Sequence, residues 1–225
     1  MKNRIMVLVS IFCFVGMVTL SLRERSTAAA AAADNAPLTA ASAATLITPA
    51  PAPAEFVGST KCKKCHLAEH KGWETMRHGK AFDTLKAGTV AEAKTKHKFD
   101  PSKDYTKDAT CVACHTVGFG KPGGYQIPAD EEAAKKMKHL ENVGCESCHG
   151  AGSNYIVLHE EIMKSKRKYK MEEMYAAGST KMESAVCLTC HNATSPTVDP
   201  SIPFDFEKMK EKGVHERTPL KQLEK

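Results

Sequence analysis

The chain has 225 residues, 42% hydrophobic and 26% charged, with only 6% aromatic residues but nine cysteines and ten histidines. This composition argues against a polytopic membrane protein and against disorder throughout, yet the aromatics are few for a core of this size. The net charge of +6 is dispersed among acidic residues, as where Lys135 and Lys136 follow Glu131 and Glu132; such mixing reads as solvated helix faces and not as a nucleic-acid surface.

Lys2 and Arg4 precede an apolar run from Ile5 to Leu22, in which Cys13 sits as a bystander. A basic start followed by a short apolar segment is an export signal. Ala31 to Ala33 suit cleavage, whereas the run length and Arg23, Glu24 and Arg25 directly after it suit an uncleaved anchor. Residues 1–25 are therefore read as a signal peptide or membrane anchor, residues 26–54 as an Ala/Pro-rich spacer that buries nothing, and residues 55–225 as the folded domain, outside the cytoplasm.

Within that domain the pattern is helical, with candidate helices over 68–86, 90–98, 130–140, 154–169, 171–177 and 204–212. Gly88, Gly178 and Gly213 stand at expected C-caps, and Lys121-Pro122-Gly123-Gly124 marks a turn. No alternating run predicts a sheet.

The remaining eight cysteines form four copies of one motif: Cys62-x-x-Cys65-His66, Cys111-x-x-Cys114-His115, Cys145-x-x-Cys148-His149 and Cys187-x-x-Cys190-His191. Each is the C-x-x-C-H attachment signature of c-type haem. Two thiols three positions apart reach the two vinyl groups on one porphyrin edge, and the following imidazole becomes the proximal iron ligand. The composition yields about 0.01 such motifs per chain by chance. Zinc ribbons would not need a His after every pair, thioredoxin-like motifs need a βαβ context, and disulfides across two residues would not recur four times with His attached. Four covalent haems c are expected, and they supply the missing apolar bodies of the core. The spacings of 49, 34 and 42 residues between first cysteines are too uneven for a solenoid.

Six further histidines remain: His70, His78, His97, His139, His159 and His215. A second His on an iron closes it to substrate, whereas an empty position permits ligand binding. The count allows four bis-His haems without requiring them.

The segment Asp100-Pro101-Ser102-Lys103-Asp104-Tyr105-Thr106 before the second motif, Val117-Gly118-Phe119-Gly120, Gly123-Gly124-Tyr125 and Gly144-Cys145-Glu146-Ser147-Cys148-His149-Gly150 resemble the tetrahaem cytochrome c-554 family of ammonia-oxidising bacteria, over about residues 56–215. The resemblance implies a mainly α fold of helices and loops around four stacked haems. It implies second axial ligands too: His78 for the fourth haem, His159 for the first and His215 for the third, leaving the His115 haem five-coordinate. It gives no role to His70 and His97, read as solvated, or to His139, read as either solvated or a cap on the second haem. One departure stands out. Between His191 and Phe204 the chain is shorter than the family pattern, in a stretch that helps cover the second haem, so that face is open, covered or ligated here.

The expectation is a periplasmic electron-transfer protein, soluble or tethered through residues 5–22. The implied partners are redox proteins, with a hydroxylamine oxidoreductase-like donor and another c-type cytochrome as acceptor. The alternative is a reductase of a small molecule such as nitric oxide at the His115 haem.

Overall fold

The computed structural model describes residues 52–199, 201–212 and 214–224. The apolar run and almost all of the spacer lie outside the described residues, as does Gly213. Helices and turns build the described part, with no strands; two isolated bridges, Thr116 to Glu141 and Tyr169 to Leu223, tie distant segments. No described helix is long and apolar enough to cross a membrane.

In chain order the helices are α1 (Ser59–Cys62), α2 (Leu67–Thr75), α3 (Ala91–Lys96), α4 (Ala109–His115), α5 (Glu131–Met137), α6 (Cys145–His149), α7 (Ser153–Ser165), α8 (Met171–Ala176), α9 (Ser184–Leu188) and α10 (Phe206–Met209). Side-chain caps start three of them: Asp108 accepts from Thr110 N–H, Asp130 from Ala133 N–H and Asp205 from Lys208 N–H. Each satisfies a backbone donor that the first helical turn leaves orphaned.

The continuous helix expected over 68–86 is corrected. It stops at Thr75, Met76 is extended, and two 3₁₀ turns follow, His78–Lys80 and Phe82–Leu85. The break has long-range partners. Trp73 Nε1 donates to the Val143 carbonyl at 2.8 Å, and Val143 N–H donates to the His78 carbonyl at 3.1 Å. Asn142 Oδ1 then accepts from Phe82 N–H at 2.8 Å. These bonds fold the segment onto residues 142–143 at the expense of the helix ladder. Likewise α7 ends at Ser165, where Lys166 turns left-handed, and α10 is shorter than the expected 204–212.

Two small apolar clusters are buried. One joins Phe82, Leu85, Tyr105, Val112, Val117, Tyr125 and Leu140; the other joins Ile162, Tyr169 and Met174. Burying a side chain such as fully inaccessible Val112 stabilises by about 1.5–3 kcal/mol. Neither cluster contains a motif histidine, and of the motifs only the second reaches into the core, through Val112 with Cys111 packed beside it.

Candidate haem-binding site

Each motif forms a helical turn. The second and third lie within α4 and α6. In the first, His66 N–H donates to the Cys62 carbonyl at 2.9 Å, and in the fourth His191 N–H donates to the Cys187 carbonyl at 2.9 Å. This i to i−4 closure sets the two thiols on one side and the imidazole just beyond them. The intervening residues anchor the turns differently. Val112 fills the larger apolar cluster and Glu146 is buried among backbone donors, whereas Lys63, Lys64 and Leu188 are exposed.

The cysteines pair across motifs. The Cys62 and Cys145 thiols lie against one another, which pushes Cys145 down and Cys62 up. Cys114 lies beside Cys190; burial, then the Cys190 charge, pushes Cys114 up to about 11. The first motif thus sits against the third, and the second against the fourth.

Three motif histidines each face one distant imidazole. His66 and His159 have centroids 5.8 Å apart and planes 16° from parallel. His78 faces His191 at 6.2 Å, and His149 faces His215 at 6.3 Å. Two imidazole–metal bonds of about 2.0–2.1 Å each, plus about 1.1 Å from nitrogen to ring centre on either side, put the centroids roughly 6.2 Å apart. The observed separations therefore fit one iron held between each pair, and the thiol spacing fits a porphyrin edge beside it. These seven histidines and eight cysteines could hold four haems.

Among the described residues no second imidazole faces His115. Its Nδ1 lies 2.6 Å from the Ala81 carbonyl and 3.4 Å from Thr84 Oγ1. The shorter bond is that of an Nδ1–H donor, which leaves Nε2 free for a metal. His215 is held the same way, its Nδ1 2.7 Å from the Glu216 carbonyl. Burial lowers the pKa of His115, His149, His159 and His191, with the Ala81 carbonyl opposing it at His115 and neighbouring histidines adding to it at His149 and His159. Neutral imidazole is the form that ligates.

The spare histidines differ from expectation at one position. His70 is only 5% exposed, packs edge-on against Trp73 at 5.2 Å, and has its Nδ1 3.3 Å from Glu74 Oε1. It is a buried partner of α2, not a solvated one. A polar residue one turn after a motif His gives no sign in sequence that Trp73 will cover it. His97 caps the end of α3, while His139 is exposed and packs on Gly58.

The family described as cytochrome c554 and c-prime matches residues 61–150. Cytochrome c-554 of Nitrosomonas europaea is 38% identical over 190 residues, covering 75% of this chain and 78% of that protein. The chain belongs to the cytochrome c-554 family. The structure of reduced cytochrome c554 from the same organism aligns with a TM-score of 0.68 at 34% identity, over 77% of this chain and 91% of that one. The helical fold is the family's, and so are its cofactors, four covalently bound haems c. The protein is a c-type cytochrome electron carrier.

Proposed function

We propose that this cytochrome c-554 relative is an exported, periplasmic electron carrier with three bis-His haems and one single-His haem, passing electrons between redox proteins. The observation that carries the proposal is the set of three facing imidazole pairs beside a His115 that faces none. When bound, each haem iron takes up and returns one electron. His66 with His159, His191 with His78, and His149 with His215 close both faces of three sites, and so exclude water and substrate from them. Contact between Cys62 and Cys145, and between Cys114 and Cys190, supports two close haem pairs through which an electron crosses the chain.

Residues 5–22 carry the domain out of the cytoplasm, as a cleaved signal or a retained tether. The partners are other redox proteins, with a hydroxylamine oxidoreductase-like donor and a c-type cytochrome acceptor. The test is spectroscopic: electronic and spin-resonance spectra of the oxidised protein should count three low-spin haems and one high-spin haem. Four low-spin haems would overturn the ligand assignment.

A second reading, reduction of a small molecule such as nitric oxide, is favoured by one observation, the unfaced His115. Turnover of nitric oxide by the reduced native protein, lost in a His115 variant, would establish it; stable binding without turnover would leave an electron carrier.

A further inference from the structure

Glu146 is the second residue of the third motif, a position where haem attachment asks for no carboxylate, yet it is only 2% exposed. Its Oε1 accepts from Val57 N–H at 3.0 Å and from Gly152 N–H at 2.7 Å. Its Oε2 accepts from Val57 N–H at 3.1 Å and from Gly58 N–H at 2.7 Å. All of these partners are backbone N–H groups and none is a cation. The carboxylate acts only as an acceptor, as its ionised form does, and its charge meets no counter-ion among them.

The chain is shaped to admit it. A Cβ on Gly152 would lie 2.9 Å from Oε1, and Gly58 has a φ of +82° with no room for a side chain against His139. Beside it, Cys145 N–H donates to Ser59 Oγ at 3.1 Å, a second stitch between the first and third motifs.

We propose that Glu146 is a positioning residue that latches residues 57–58 onto the third motif, and that its buried negative charge lowers the midpoint potentials of the first- and third-motif haems. This rests on the reading of residues 62–66 and 145–149 as haem sites. A ferric haem carries one more positive charge than a ferrous one, so a fixed anion nearby favours the ferric state. In the poorly screened interior that preference survives salt.

The test is a spectroelectrochemical titration of the full-length haem-loaded Glu146→Gln protein, with amide hydrogen exchange on the same sample. Two of the four potentials should shift upward while the other two stay put, and the Val57 and Gly58 amides should exchange faster. Four unmoved potentials in a protein that keeps four haems would overturn the charge role, and unchanged exchange at both amides would overturn the latch. Should this variant fail to load haem, Val57→Lys places an ammonium beside the intact carboxylate. The same two potentials should rise, and no rise would overturn the charge role. Mass spectrometry of the unaltered protein separates the two failures: fewer than four haems there defeats the haem reading itself.

Discussion

Replacing His159 by Ala tests the axial geometry most directly. The imidazole sits on α7, facing His66 with 5.8 Å between centroids. Alanine withdraws the ring and leaves an opening on one side of the site that no backbone group can span. The helix itself should tolerate the change, since Ala exceeds His in helix propensity by at most about 0.7 kcal/mol. Losing the tilted contact with Tyr169 at 6.5 Å costs about 0.5–1.5 kcal/mol. The net change in the protein's own contacts is thus within about 1.5 kcal/mol, small beside the typical 5–15 kcal/mol of a native domain. The spectroscopic effect is categorical. The ferric protein should go from three low-spin and one high-spin haem to two of each, and the ferrous protein should bind two carbon monoxide molecules per chain instead of one. His70→Ala serves as the control. An unchanged spin count in the His159 variant, or the same change in the His70 variant, would refute the reasoning.

Replacing Cys145 by Ser should remove one of the two thioethers of the third motif. Peptide mass spectrometry should show that haem held by a single bond or lost, and thermal melting should show a lowered Tm. Leu140→Ala, at a residue 1% exposed within the larger cluster, should cost about 2–5 kcal/mol, read from denaturant midpoints with the spin count unchanged. Burial lowers the His149 pKa, so the unfolded chain binds more protons than the folded one near the ordinary value of about 6.5. Its contribution to stability is present above that pH and is lost as pH falls. The low-spin spectrum should therefore persist at pH 6.5 and give way only in more acidic solution; loss at pH 6.5 or above would contradict the assignment. His139→Ala should leave carbon monoxide binding as it is, because the ring packs on Gly58; a gain of binding would show that it caps the second haem.

The four motifs were legible because their spacing is a covalent requirement, independent of packing. The family and its mainly α fold were legible too, from residues outside the motifs such as Asp100 to Thr106. The short helices α1, α4, α6 and α9 were not. Each spans four to seven residues, too few for an apolar period to declare itself, and a helix facing porphyrin needs no apolar stripe toward protein. The 68–86 segment misled for a different reason. Its local propensity is helical, but Trp73, His78 and Phe82 find partners at Asn142 and Val143, and tertiary contacts override propensity. The burial of His70 was not legible, because its cover is a long-range-anchored Trp73 on the same helix.

The three facing pairs are interleaved along the chain. The span from His66 to His159 overlaps that from His78 to His191, and both overlap that from His149 to His215. Any cut between residues 66 and 215 therefore separates at least one histidine from its opposite number. The polypeptide is no string of independent beads that could be shortened by a unit, and no cut in that span keeps all three pairs together. Synthesis imposes an order as well. His66 waits for His159 to emerge, and no third-motif partner exists until the chain has reached His215, so this topology makes completion of the set an event of the whole chain.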